Sequence, residues 1–202
     1  MPDNLGALAV SGRPRYTMDE VLRARRSIRQ YAPRAVPDEL VREILDLARH
    51  APSSMDAQPC CFVVIRSPAA LERLATIKDA YCPVDKREAY PAGFLSRAPV
   101  VVAVCVERDR AHGRERENGI LAAAQLLLAA QARGLGGAYL TAYQPHDPGL
   151  EREIRLLLRL PRDIDPVAVV PLGFPAEMPA PKELRPLAEL VHDEIFGESV
   201  QG

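Results

Sequence analysis

The chain of 202 residues has almost no net charge: 26 Lys and Arg against 27 Asp and Glu leave a formal charge of −1. A balanced chain has no global attraction to nucleic acid or to an anionic membrane, so any basic site must be local. Cysteine is scarce. Cys60, Cys61, Cys82 and Cys105 form no C-x-x-C pair and have no histidine at ligand spacing, which excludes a recognisable zinc site or disulfide framework and leaves reduced, mostly buried thiols as the default. Long apolar runs are also lacking. Leu5 to Val10 is too short for a secretory h-region and follows Asp3 with no early Lys or Arg, and Ile120 to Ala130 is broken by Gln125 well below the roughly 20 residues that span a bilayer. A cytoplasmic location with no membrane partner follows by exclusion. There is no G-x-S-x-G elbow, no Walker lysine loop and no H-E-x-x-H. His50, His112, His146 and His192 stand isolated, which favours surface or capping roles and no metal.

What is present reads as one domain over residues 17–202 behind a flexible lead-in at 1–16. Thr17 and Glu20 have capping-box spacing ahead of a helix running towards Arg25. A second helix starts at Pro37, buries Leu40, Val41, Ile44, Leu45 and Ala48 on one stripe, and stops before Pro52. Cys61 to Ile65 reads as a buried strand, Pro68 to Lys78 as a helix, residues 79–98 as an irregular excursion, and Pro99 to Val106 as the clearest strand. Glu117 to Arg133 is the longest expected helix and is apolar nearly all round; Gly134 stops it. A strand at Gly136 to Leu140, a helix at Pro148 to Leu158, a strand at Val167 to Leu172 and a last helix at Pro186 to Phe196 complete an α+β or small α/β pattern without repeats.

Three polar clusters could carry chemistry, and each has a bland alternative. Arg25-Arg26-Ser27-Ile28-Arg29 can converge on a phosphate with bidentate geometry, or simply complement a helix end as a solvated basic patch. Ala51 to Pro59, with Ser53, Ser54, Asp56 and Gln58, can hold a ligand between helix and strand, or satisfy its own turns. Lys182 and Arg185 among prolines carry the same ambiguity. Gly134-Leu135-Gly136-Gly137 follows a helix, not a strand, and is discounted as a dinucleotide fingerprint. Cys60 and Cys61 should point to opposite faces of their strand, one bordering a pocket and the other in the core.

Taken together and in order, these segments resemble the nitroreductase family of FMN enzymes. Arg25 to Tyr31 is similar to its opening motif, Val36-Pro37 and the helix to Ala48 to the next element, and Ala51-Pro52-Ser53-Ser54 with Gln58-Pro59 to its second motif. Ala98 to Val102 resembles its first long strand, Leu126 to Ala130 with Gly134-Leu135-Gly136 its central helix and stop, and Pro171 to Pro175 followed by Lys182, Arg185 and Pro186 its closing signature. The resemblance covers about residues 17–193. It implies a three-layer α/β/α fold with a small mixed central sheet and an interlocked homodimer carrying FMN at the subunit interface. Arg25, Ser27, Lys182 and Arg185, with Arg26 beside them, would then hold the phosphate and ribityl end, and Arg29 the pyrimidine edge. Pro52, Ser53 and Ser54, with Gln58, would reach across from the partner, and the backbone at Thr141 and Ala142 would face the ring.

A phosphate monoester carries about −1.5 to −2 charge, so several donors must compensate it in an interior site, and a cation near the ring favours the reduced flavin. The resemblance implies electron transfer from NADH or NADPH through FMN to a nitroaromatic, quinone or similar acceptor by a ping-pong mechanism, with no protein nucleophile or general acid. Three positions depart from the family pattern. Asp56 stands where Asn is usual, placing a carboxylate that disfavours a nearby phosphate; Cys60 replaces a common Trp and Gln125 a common Asn, implying a roomier pocket. Two rivals share the same residues: a flavin enzyme devoted to one specific metabolite on this fold, and a non-catalytic FMN carrier.

Overall fold

Val100, Val102 and Val104 turn to one side of a strand, Val101, Ala103 and Cys105 to the other, and all six are fully buried. An apolar run of β-branched residues has no polar face to give to water, so this strand can only lie in the middle of a layered structure. The computed structural model describes residues 16–89 and 91–198, and it shows that arrangement. The expected lead-in at 1–16 lies outside the described residues except for Tyr16.

The strands are β1 (Cys60–Ile65), β2 (Val100–Glu107), β3 (Gly136–Gly137), β4 (Leu140–Thr141) and β5 (Ile164–Gly173); the helices are α1 (Met18–Ala24), α2 (Asp38–Ala48), α3 (Pro68–Ala80), α4 (Glu115–Ala132) and α5 (Gly149–Leu158). The sheet runs β1-β2-β5-β3, with β4 also on the β3 side of β5. On one face α2 and α4 pack through Val41, Ile44, Leu126 and Ala130; on the other α3 and α5 pack through Leu71, Leu74, Leu150 and Ile154. The chain is therefore α+β with helices on both faces of its sheet. The expectation of a mixed sheet is corrected: every pairing between these strands is antiparallel, and the parallel element among the described residues is a single bridge between Ser27 and Gly137.

Local signals account for most boundaries. Thr17 and Glu20 close a full capping box on α1, with the Glu20 carboxyl held below its usual value by the Thr17 amide and hydroxyl. Gly134, at φ +75, ends the turn after α4, as a C-cap glycine does. Residues 79–98 form two 3-10 turns, Val84–Lys86 and Ala92–Arg97, and the second sinks Phe94 and Leu95 into the core beside α3. The expected strand at 136–140 is interrupted at Ala138 and Tyr139, so β3 and β4 are two short pieces along the same neighbour. β5 is longer than expected and includes Pro166 at a register shift against β2, where a missing N–H is tolerated.

The last helix expected, Pro186 to Phe196, does not form; only a 3-10 turn at Leu187–Glu189 is present. Its apolar residues lie open to solvent, with Leu187 73% and Phe196 89% exposed. A short amphipathic helix takes most of its stability from packing, and among the described residues this segment is left largely exposed.

Candidate functional site

Residues 25–32 leave α1 in non-helical conformation and are held from two sides. The Ile28 amide donates to the Gly137 carbonyl (3.0 Å), while the Ala32 amide donates to the Phe174 carbonyl (2.8 Å) and the Ala176 amide to the Gln30 carbonyl (3.0 Å). Close approach to the sheet edge requires glycine there. A Cβ on Gly136 would collide with the Ile28 side chain, and one on Gly137 would lie 2.7 Å from the Pro171 carbonyl oxygen. The Glu177 carboxylate accepts both the Arg29 and Gln30 amides, fixing the segment from the C-terminal side.

This grip gathers cations. The Arg26 guanidinium donates to the carbonyls of Arg23 (2.7 Å), Arg25 (2.9 Å) and Ala180 (3.3 Å), which ties the C-terminal segment down two residues before Lys182. Lys182 is close enough to Arg25 that its amine is pushed below the ordinary lysine value, chiefly by Arg25, then by burial and Arg26. Among the described residues no carboxylate forms an ion pair with Arg25, Arg26 or Lys182. Like charges held together without a counter-charge repel, and an anionic group relieves that repulsion. Lys182 thus lies beside Arg25 and Arg26, with Ser27 next in the chain. Arg29 turns away, its guanidinium 5.8 Å from the centre of the Phe94 ring, and Arg185 pairs with Glu189 (3.3 Å) on the exposed tail.

The second motif is a tight, strained loop. Met55, Asp56 and Gln58 all have φ near +50, a left-handed conformation that costs a non-glycine residue of order 1 kcal/mol or more and that collects at functional segments. Ser53 Oγ accepts the Gln58 amide (3.0 Å), Asp56 Oδ1 accepts Gln58 Nε2 (3.2 Å), and the Ser54 amide donates to Asn118 Oδ1 (2.9 Å). Asn118 is 2% exposed, is the buried polar residue of the core, and passes the restraint on by donating to the Ala111 carbonyl (3.3 Å).

The two clusters sit at different heights on α4. Ser54 is held at Asn118, in its first turn, whereas Gly137 lies against Leu127. Nine residues of helix, about 14 Å at 1.5 Å each, separate those points.

At Thr141 and Ala142 the structure engages backbone groups within the protomer. The Thr141 carbonyl accepts Lys78 Nζ (2.7 Å), and the Ala142 amide donates to the Val167 carbonyl (2.9 Å). Burial pushes the Lys78 amine down to about 8, against a smaller opposing effect of Cys82. Cys60 turns its thiol to the Asn118 carbonyl (3.4 Å), and burial raises it to about 11; Cys61 faces the other side of the sheet. Gln125 donates to the Leu47 carbonyl (2.8 Å), joining α4 to α2. Two surface hollows, of about 420 and 460 Å³, lie at Arg116, Tyr143 and Asp165 and at Tyr31, Arg34 and Arg97; neither is lined by any expected site residue. Asn118, Glu177 and Lys78 escaped the sequence reading. Asn118 alone left a signal, as a polar residue opening an apolar helix.

An α+β fold with helices on both faces of its sheet thus carries at the sheet edge a cation cluster that, among the described residues, has no carboxylate ion-pair partner. The chain belongs to the nitroreductase family: the model described as "Nitroreductase family" matches residues 22–174. A Methanothermobacter thermautotrophicus protein, provisionally named an NADH dehydrogenase/NAD(P)H nitroreductase, is 35% identical over 168 residues, covering 82% of this chain and 81% of its own. A Bacillus subtilis protein named FMN reductase [NAD(P)H] is 24% identical over 202 residues, covering 89% and 75%. A crystal structure from Parabacteroides distasonis, provisionally named like the first, superposes with a TM-score of 0.77 at 27% identity, covering 89% of this chain and 98% of that one.

Proposed function

We propose that the chain is a cytoplasmic NAD(P)H-dependent flavin oxidoreductase, a single FMN-binding domain over residues 17–202 that works as a homodimer and reduces a nitroaromatic, quinone or similar small acceptor by a ping-pong mechanism. The observation that carries this reading is the cluster of Arg25, Arg26 and Lys182, which no carboxylate among the described residues pairs with. Its donor set fits a phosphate monoester: the Arg25 guanidinium, the Lys182 ammonium and the Ser27 hydroxyl, with the Arg26 charge beside them. The names of the relatives supply the cofactor and the donor. FMN, when bound, carries the electron pair from the nicotinamide to the acceptor, so the chain needs no nucleophile of its own. Its residues bind and orient: Arg25, Ser27 and Lys182 hold the phosphate end, Arg26 keeps the tail that bears Lys182 in place, and Arg29 approaches the ring from the Phe94 side.

The second copy is part of the proposal because the loop at Pro52 to Gln58 stands about 14 Å along α4 from the cation cluster. A partner's loop can complete a site that the protomer's own loop does not reach. Exposed apolar residues support the same reading: Ile120 and Leu121 on α4, and Leu184, Leu187, Ile195 and Phe196 on the tail. Such surface on a folded chain marks an interaction face.

The test is direct. The purified protein should be yellow and release FMN, and NADH or NADPH should bleach it anaerobically. Arg25→Ala and Lys182→Ala should each weaken FMN retention about 10- to 100-fold, the effect of one charge-assisted contact. Arg29→Ala should lower the reduction rate with FMN content kept. Unchanged FMN content in the first two variants, or a fully active species that sediments as a single copy, overturns the proposal.

A further inference from the structure

We propose that Cys61 and Cys105 form a reversible disulfide when the protein meets a hydroperoxide. Cys61 on β1 stands directly opposite Cys105 on β2 in an antiparallel ladder. Directly opposed residues have Cα atoms about 4.5–5.5 Å apart, inside the window that a disulfide accepts without backbone movement. Both side chains belong to the face packed against α3 and α5, so they point the same way. Cys105 lowers the Cys61 thiol from its ordinary value, against the opposing effects of burial, Glu107 and Asp163, while the Cys105 thiol is pushed up by Cys61 and by burial.

Position divides the labour. β1 pairs with β2 alone among the described strands, so it is an edge strand, and Cys61 is half-buried there while Cys105 is fully buried. A reagent reaches Cys61 first. The Cys61 thiolate attacks one peroxide oxygen; the S–O bond forms, the O–O bond breaks, and the second oxygen leaves as water or alcohol after taking a proton. Cys105 sulfur then attacks the Cys61 sulfur, the S–S bond forms, the S–O bond breaks, and the hydroxide leaves as water with the Cys105 proton. Two thiols are oxidised and one hydroperoxide is reduced.

Cys60 takes no part, because it faces the opposite side of the sheet and its thiol donates to the Asn118 carbonyl. The cross-link fastens the first residues of β1 to β2 immediately after the loop at 52–58. This inference does not depend on the flavin reading.

The experiment titrates the fully reduced, full-length protein with hydrogen peroxide and follows thiol count and intact mass. Two thiols should be lost with a mass decrease of about 2 Da, and dithiothreitol should restore both. Cys60→Ser should close the bridge as the wild type does, and peptide mapping of that variant should join the peptide of Cys61 to that of Cys105. Cys61→Ser should abolish the mass loss; should Cys105→Ser fail to fold, the Cys60→Ser map still decides. Stepwise gains of about 16 Da without a cross-link, a bridge through Cys60 or Cys82, or four thiols surviving excess peroxide each overturn the proposal.

Discussion

Asn118 joins the strained loop to the core, and its removal has a calculable cost. In Asn118→Ala the Ser54 amide loses its acceptor and the Ala111 carbonyl a donor, at 2.9 and 3.3 Å respectively. Each such bond is worth about 1 kcal/mol net, and a buried polar group left without a partner costs about 1–3 kcal/mol. The longer second bond contributes least, so the sum, with a small cavity at a 2% exposed position, is about 2–4 kcal/mol. For a chain of this size each kcal/mol is roughly 2–4 °C of Tm, so a fall of about 5–15 °C is expected. Urea denaturation with and without FMN measures it. Flavin affinity should fall further than stability alone accounts for, since Ser54 loses its register. Asn118→Asp separates the parts: it keeps an acceptor for Ser54 but turns a carboxylate towards the Ala111 carbonyl. Its folded-state pKa is raised, so its deficit should be largest at neutral pH and shrink as the pH falls towards about 4. Wild-type stability and flavin affinity in Asn118→Ala, or a pH-independent deficit in Asn118→Asp, would refute the reasoning.

Lys78 has a folded pKa of about 8, below its ordinary 10.5, so the folded state holds fewer protons than the unfolded one between those values. Stability should therefore rise with pH across that window in the wild type and not in Lys78→Met, read from urea midpoints of the two proteins. Gly137→Ala sets a Cβ 2.7 Å from the Pro171 carbonyl, which is backbone and cannot rotate away; a loss of about 1–3 kcal/mol is expected, together with weaker flavin retention as Ile28 and Ser27 lose their docking edge. Arg155→Ala removes donors from the carbonyls of Pro161 and Ile164 and from Asp165, and should lower the urea midpoint far more than Arg73→Ala, whose partner Glu153 forms an exposed pair.

The central strand and the helices packed on it were legible because burial on both faces leaves a continuous apolar run and burial on one face leaves a stripe. Val100 to Val106 and the stripe of Val41, Ile44 and Ala48 are of that kind. The cation cluster was legible by residue type, since Lys182 lies more than 150 positions from Arg25 and Ser27 and yet has matching chemistry. Their division of labour was not. Nothing in a sequence shows that the Arg26 guanidinium is occupied by three carbonyls, or that Glu177 caps the amides of Arg29 and Gln30. Periodicity describes which way a residue faces within its own element, and these contacts join elements far apart in the chain. Asn118 illustrates the same gap, because the partner that makes it necessary is an amide in a loop 64 positions away.

The tail exposes a different limit. Leu184, Leu187, Leu190, Val191 and Ile195 recur at helical spacing, and that pattern signals a surface to be covered without saying by what. Among the described residues of one protomer nothing covers it: Leu184 is 79% exposed and Ile195 63%. The helix that the spacing predicts is absent among the described residues, where its apolar stripe has nothing to pack on. A chain that assembles in pairs can carry such a stripe at no cost in solubility, because the monomer that exposes it is scarce. On that reasoning the order of the tail and the closure of the site are one event. Arg26 holds the tail at Ala180, Lys182 follows two residues later, and the exposed leucines begin at Leu184, so a partner that covers the leucines also steadies the ammonium beside Arg25.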